Sequence, residues 1–271
     1  MNDRTDTNAQ AFEGVQPLRA QRPVRRRRFR PVPLRIILPN LVTLLALCMG
    51  LTAIRFAIEE QFPTAVLAII AAAILDGLDG RIARALKGTS RFGAELDSLA
   101  DFLDFGVAPG LMIYIWAFQD MRDVGWIAAV VYVLCCVMRL ARFNVGNKSE
   151  MSADAKRFFV GVPAPAGAFL AMLPLFVTFM LKQGPVIPGG VIAVYVICVG
   201  LLMISRIPTW SLKSVTISRE HTKFFLIGFV AVIAALLSYP WATLVTLDLA
   251  YFAGIFWSWR AARRAKRKHG V

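Results

Sequence analysis

Apolar residues run along this chain in long blocks that short polar segments separate. Blocks long enough to cross a bilayer as helices lie near residues 36–58, 62–80, 97–118, 124–143, 160–181, 189–205, 224–239 and 241–259. Only Tyr239-Pro240 separates the last two blocks, which predicts a tight helical hairpin. The pattern predicts an all-α polytopic membrane protein with about eight transmembrane helices.

Composition agrees with this prediction. The chain has 271 residues, of which 57% are hydrophobic and only 18% are charged, unlike an ordinary soluble domain. We divide it into a basic arm over 1–35, a transmembrane domain over 36–259 and a basic tail over 260–271. The arm lacks apolar periodicity, and we expect it to be mobile.

Basic residues indicate the orientation, because cytoplasmic loops of membrane proteins collect Lys and Arg. With the N-terminus inside, 28 of the 31 Lys and Arg residues fall in segments on the inner side. Both termini are therefore expected in the cytoplasm, and for a bacterial source the membrane is the inner one. The net charge of +14 does not indicate nucleic-acid binding, because basic clusters beside spans bind anionic lipid headgroups.

Carboxylates are concentrated where the second and third blocks meet, in the stretch ILDGLDGRIARALKGTSRFGAELDSLADFLDFG over 74–106. Asp76 and Asp79 are three residues apart, and Asp97 and Asp101 are four apart, so each pair shares one helical face. The two helices are expected to run antiparallel, with the four carboxylates converging near the inner interface. Ionisable groups at membrane depth are costly and usually functional.

An oxygen-only ligand set without nearby Cys or His favours Mg²⁺ or Mn²⁺. Two such ions between four carboxylates would suit a diphosphate substrate. Gly77, Gly80 and Gly93 would let a ligand approach the backbone, and Arg84 would contact phosphate. The alternative is an interfacial salt-bridge network with nearby arginines, which has no need of the glycines.

The spacing Asp76-x2-Asp79-Gly80-x2-Ala83-Arg84-x8-Gly93-x3-Asp97-x3-Asp101 resembles the signature of the CDP-alcohol phosphatidyltransferases. The resemblance implies a membrane-embedded helical enzyme, often a homodimer, that uses two divalent cations and releases CMP from a CDP-linked lipid. It also implies functional roles for individual residues. Metal ligands would be Asp76, Asp79, Asp97 and Asp101, with Asp101 also the base for the alcohol; CDP would contact Asn40, Gly80, Ala83, Arg84 and Gly93.

Segments outside this signature, among them PNLVTL (39–44) and RLARFN (139–144), resemble the serine-specific branch of that family. This likeness implies CDP-diacylglycerol and serine as substrates and phosphatidylserine as product. Serine carries a carboxylate, so Arg139 and Arg142, with Asn144 as a neutral contact, are predicted to bind it. The same arginines would also suit phosphate, which leaves choline, glycerol 3-phosphate or an inositol phosphate open as acceptor.

A cation transporter is the alternative from a different functional class, since intramembrane acids also bind permeating ions. The position of the acids at span ends, away from the midplane, disfavours it. Asp104, one turn past Asp101, has no role in the motif. Two hypotheses for it are a fifth acid near the metals and a carboxylate paired with a basic residue.

Overall fold

The structure, a computed structural model, describes residues 34–148, 159–182, 187–205, 208–209 and 222–268. Most of the predicted N-terminal arm therefore lies outside the described residues. Within these ranges the chain is almost wholly helical. The elements are α1 (Leu34–Ile58), α2 (Phe62–Ala85), α3 (Arg91–Phe102), a π-helical turn (Leu103–Val107), α4 (Ala108–Ala117), α5 (Arg122–Lys148), β1 (Phe159–Val160), α6 (Ala164–Leu181), α7 (Gly189–Ile204), β2 (Pro208–Thr209), α8 (Thr222–Ser238) and α9 (Pro240–Lys268).

Six helical segments of the described chain are long and apolar enough to cross a membrane. One of them joins α3, the π-helical turn and α4 into a single segment over Arg91–Ala117. Two further apolar helices, Gly189–Ile204 and Leu226–Ser238, are shorter. The all-α, multi-pass prediction is thus confirmed, whereas the count of eight spans stays a prediction.

The helices around the acidic stretch extend further than hydrophobicity alone indicated. Helix α2 continues to Ala85, and α3 begins at Arg91 after the N-cap residue Ser90, whose hydroxyl oxygen accepts a hydrogen bond from the Gly93 amide at 2.9 Å. Hydropathy detects the apolar part of a helix and misses the turns that continue into the polar interface. All four motif aspartates therefore lie on regular helix.

Two tyrosines bind carbonyl groups that prolines leave without a helical donor. Proline has no amide hydrogen, so Pro109 and Pro174 free the carbonyls four residues earlier, at Phe105 and Leu170. The hydroxyl of Tyr132 donates to the Phe105 carbonyl at 2.7 Å, and that of Tyr195 donates to the Leu170 carbonyl at 2.8 Å. These bonds tie α5 to the π-helical turn and α7 to α6.

The buried core lies between the helices and consists of small and apolar residues, while large apolar side chains also cover the outer surface. Leu41, Ile127 and Leu226 are each about three-fifths exposed, as expected of a surface that faces lipid. Helix α9 does not end with its apolar part: it continues through Lys268, so most of the predicted basic tail is helical.

Candidate active site

The acidic residues lie where α1 packs against both α2 and α3. Helices α2 and α3 themselves make little direct backbone contact, so a gap between them is spanned by side chains. Asp76 and Asp79 project from α2, and Asp97 and Asp101 from α3. The predicted convergence of the two acidic pairs is therefore observed, and α1 packs against both helices that carry them.

Three of the four predicted ligands form a compact cluster. Asp76, Asp79 and Asp97 each offer one carboxylate oxygen, and these three atoms lie within 4.8 Å of one another. Asp101 is adjacent, because its carboxyl group is within hydrogen-bonding contact of Asp76. Its Oδ1 atom is buried and has no hydrogen-bond partner among the described residues. A hard divalent cation fits this set, which offers carboxylate oxygens and an unsatisfied acceptor.

The salt-bridge alternative is not supported. Within the described ranges, no ion pair joins the clustered aspartates to Arg81, Arg84 or Arg91. An exposed ion pair joins Arg55 of α1 to Glu59, which follows the end of that helix. Carboxylates at this spacing repel one another unless they share a cation. The cluster thus has the electrostatic character of a metal site.

Thr43 on α1 is a site residue that the sequence did not reveal. Its hydroxyl donates to Oδ2 of Asp79 at 2.5 Å, and both side chains are buried, with exposed fractions of 5% and 4%. The bond fixes the carboxylate that lies deepest in the cluster. The available signal was weak: Thr43 lies in the PNLVTL segment, three residues after Asn40, but 36 residues separate it from Asp79.

The motif glycines differ in what surrounds them. A Cβ atom on Gly77 would meet nothing within 4 Å, and one on Gly80 would meet only the Arg84 guanidinium, at 3.7 Å. Open space beside this exposed arginine suits a phosphate group. At Gly93, by contrast, an added Cβ would lie 2.7 Å from Oδ1 of Asn40, so this glycine makes room for Asn40.

Ala83 and Asn40, the other two predicted CDP contacts, are both half-buried. Asn40 faces Gly93 from α1, so it lies at the α1–α3 side of the site. Ala83 precedes Arg84 in the last turn of α2. The structure leaves their contact with CDP as a prediction.

The three predicted acceptor-binding residues lie in different surroundings. Arg139 is half-buried and interacts electrostatically with Asp101. Arg142 donates hydrogen bonds to the carbonyls of Ile204 at 2.9 Å and Ser205 at 3.3 Å, which anchors α5 to the end of α7. Arg139 thus lies within electrostatic reach of the acidic cluster.

Asn144 connects α5 to α3, which carries Asp97 and Asp101. Its Nδ2 atom donates to the hydroxyl of Ser98 at 3.0 Å, and Ser98 follows Asp97 directly. The sequence predicted a contact of Asn144 with the acceptor. The structure adds a bond that holds α3 in place beside the cluster.

Asp104 is 1% exposed and lies on the π-helical turn, against Gly50 of α1. A Cβ atom on Gly50 would collide with the Asp104 carboxylate, so the glycine provides the room for it. Its Oδ1 atom has no hydrogen-bond partner, and no basic residue pairs with it in the part of the chain that the structure describes. The expected ion pair is therefore not seen.

Comparisons with known proteins agree with this geometry. The family model described as CDP-alcohol phosphatidyltransferase matches residues 36–203. A CDP-diacylglycerol–serine O-phosphatidyltransferase of Mycobacterium tuberculosis is 39% identical over 228 residues, which are 84% of this chain and 79% of that protein. Proteins of the same name from Helicobacter pylori and Methanocaldococcus jannaschii are 34% and 37% identical, over 66% and 64% of this chain and 74% and 73% of theirs. The chain belongs to the CDP-alcohol phosphatidyltransferase family.

Proposed function

We propose that this protein transfers the phosphatidyl group of CDP-diacylglycerol to the hydroxyl of L-serine, forming phosphatidylserine and CMP. One observation carries the proposal. The Asp76, Asp79 and Asp97 cluster, with Asp101 beside it, lies in a chain similar over most of its length to proteins that bear the serine transferase name. The acceptor rests on that similarity, whereas the reaction class also rests on the site.

In the proposed reaction, the serine oxygen forms a bond to the lipid phosphorus, and the bond from that phosphorus to the bridging oxygen of the diphosphate breaks. The bridging oxygen leaves with CMP, and the hydroxyl proton goes to a carboxylate oxygen of Asp101. A hydroxyl is a poor nucleophile at neutral pH, so a base within reach is required. The unpartnered Oδ1 of Asp101 supports this role.

The other residues hold the reacting groups. Asp76, Asp79 and Asp97, together with Asp101, would hold two Mg²⁺ or Mn²⁺ ions, which when bound would neutralise charge on the diphosphate. Thr43 fixes Asp79, and the exposed Arg84 guanidinium beside Gly80 contacts phosphate. Asn40, Ala83 and Gly93 are proposed to border the CDP group.

The proposal also specifies the membrane location and the orientation of the protein. The lipid tails of the substrate stay in the bilayer, while serine and the cytidine group come from the aqueous side. We place the site and both termini on the cytoplasmic side of the bacterial inner membrane, and expect a homodimer. The excess of Lys and Arg in the inner segments supports this orientation.

Acceptor competition tests the proposal. Membranes that contain the protein are supplied with CDP-diacylglycerol, Mn²⁺ or Mg²⁺ and, separately, serine, glycerol 3-phosphate, choline or inositol phosphate, and the lipid product is identified by mass spectrometry. We expect phosphatidylserine from serine alone. A product from another alcohol but none from serine would overturn the acceptor and keep the reaction class.

A further inference from the structure

The connection between α2 and α3 begins with a left-handed turn. The Gly88 amide donates to the Ala83 carbonyl at 2.9 Å and the Lys87 amide donates to the Arg84 carbonyl at 3.2 Å, which is the Schellman pattern of a helix C-terminus. The pattern requires a positive φ at Lys87, where φ is 50°. Glycine adopts this conformation most easily, yet the chain has lysine there and glycine one position later.

Gly88 serves packing instead. It is buried, and a Cβ atom on it would collide with the carbonyl oxygen of Arg35, in the first turn of α1. The connection can therefore lie directly on the start of α1. Helix α3 packs on α1 close by, where Asn40 lies against Gly93. The starts of α1 and α3 and the end of α2 thus meet at one end of the helices.

Three cations are placed at this common end. Arg35 is in the first turn of α1, Lys87 occupies the left-handed turn, and Arg91 is the first residue of α3. All three are exposed, and within the part of the chain that the structure describes none of their side chains forms an ion pair or a hydrogen bond. Like charges brought together repel one another, so a shared anion would stabilise this arrangement.

The membrane decides which anion these cations meet. Helices α1 and α2 and the segment that begins with α3 are candidate spans, so their common end lies at a membrane surface, at the depth of the lipid headgroups. We propose that Arg35, Lys87 and Arg91 bind the phosphate of an anionic phospholipid of the bilayer, at a site separate from the proposed contact of Arg84 with the substrate. Guanidinium and ammonium groups suit phosphate through charge-assisted hydrogen bonds.

Binding of phosphatidylglycerol to the full-length protein tests this site. The protein is purified in a neutral detergent, and its affinities for phosphatidylglycerol and for zwitterionic phosphatidylcholine are measured by native mass spectrometry. The triple variant Arg35→Gln, Lys87→Gly, Arg91→Gln should bind its tightest phosphatidylglycerol about a hundredfold more weakly, since each cation at a membrane surface contributes about fivefold. Affinity for phosphatidylcholine should change less than about twofold, because its headgroup has no net charge.

Lys87→Gly separates a lost contact from a damaged fold. Glycine adopts a positive φ more easily than lysine, so this variant should unfold at the same or a higher temperature while its affinity for phosphatidylglycerol falls about fivefold. Lys182→Gly is the matched control, because Lys182 is also exposed and has a φ of 51° at the end of α6. Its phosphatidylglycerol affinity should stay within about twofold of the wild type. Equal losses in the two variants would overturn the site.

Two competitors distinguish other sources of phosphate. Excess inorganic phosphate should not displace phosphatidylglycerol, because the free anion has no acyl chains to hold it at the apolar spans. CDP-diacylglycerol should bind in addition to phosphatidylglycerol, since its diphosphate is assigned to the acidic cluster and Arg84. Displacement by inorganic phosphate, or one-for-one displacement by CDP-diacylglycerol, would overturn the proposal.

The measurement requires no turnover, so it is independent of the proposed function. Phosphatidylglycerol binding that depends on the three cations, in a protein that forms no phosphatidylserine, would support the site and contradict the proposed function. Unchanged affinity in the triple variant, in a protein that does form phosphatidylserine, would contradict the site alone.

Discussion

At the scale of single residues, the site separates three clustered carboxylates from a fourth that is adjacent but distinct. Asp76, Asp79 and Asp97 converge within 4.8 Å, whereas Asp101 contacts the cluster through Asp76 and keeps one oxygen unpartnered. We therefore propose cation binding chiefly for the three and proton acceptance for the fourth. The two roles can be measured apart.

Asp101→Asn removes the proposed base while preserving shape. The rate of CMP release should fall ~100- to 10,000-fold, because the hydroxyl proton has no acceptor. Mn²⁺ binding, followed by electron paramagnetic resonance, should weaken less than in Asp97→Asn, which removes one of the three clustered ligands. A variant at Asp101 that turns over at the wild-type rate would contradict the assignment.

Thr43→Val preserves the volume of the side chain and removes the hydrogen bond to Asp79. Groups that orient metal ligands typically contribute 10- to 100-fold in affinity, so Mn²⁺ affinity should fall by about that factor. Thr52→Val is the matched control, because the Thr52 hydroxyl bonds only the Cys48 carbonyl on an exposed part of α1. Equal effects of the two substitutions would show that the loss is not specific to the site.

The sequence revealed the motif aspartates because their spacing of three and four residues is local to each helix. Thr43 and Ser98 were not revealed, since each bonds a residue distant in sequence, 36 and 46 positions away. Gly93 was interpreted as space for a ligand, and the structure shows Asn40 beside it. Spacing along one helix predicts a shared face, but not which side chain from another helix lies opposite.

At the scale of elements, α1 packs against both helices that carry the acidic cluster, α2 and α3. It contacts α2, α3 and the π-helical turn, and it contributes Thr43 and Gly50 to those contacts. Hydropathy predicted α1 as a span but gave no indication of this role. The π-helical turn was also not predicted, because it differs from α-helix in hydrogen bonding and not in residue pattern.

Gly50→Ala tests the contact of α1 with the π-helical turn. The added methyl group would collide with Asp104 and Leu103, so the variant should unfold at a lower temperature, with a loss of about 1–3 kcal/mol. Gly254→Ala, where a Cβ meets nothing within 4 Å, is the control and should be neutral or stabilising. Thermal unfolding in detergent measures both.

A second substitution tests whether the collision with Asp104 causes the loss of stability in Gly50→Ala. Asp104→Ala in the Gly50→Ala background removes the atoms with which the methyl group collides, and should restore much of the lost stability. No restoration would show that Gly50 is required for another reason.

At the scale of the whole molecule, the apolar helices describe a multi-pass membrane protein, and Lys and Arg are concentrated in the segments that the sequence predicts on the inner side. The sequence predicted this architecture because hydrophobic length and the distribution of Lys and Arg are global properties. It did not predict the inward polar face of α9, since hydropathy averaged over a span hides Asp248 and Tyr251.

Reporter fusions test the orientation. A fluorescent protein that folds only in the cytoplasm should fluoresce when fused after Val271, and alkaline phosphatase should be active when fused after Gln119, between α4 and α5. These outcomes follow from the excess of basic residues in the inner segments. The reverse pattern would place the acidic cluster on the outer side and contradict a cytoplasmic source of serine.

The central claim is that the serine hydroxyl attacks the lipid phosphorus, and isotope transfer measures this directly. Purified protein is supplied with CDP-diacylglycerol, Mn²⁺ and serine whose hydroxyl oxygen is ¹⁸O. The masses of both products, phosphatidylserine and CMP, are then measured by mass spectrometry. The account predicts one ¹⁸O atom in phosphatidylserine and none in CMP. Unlabelled phosphatidylserine, or label in CMP, would contradict it.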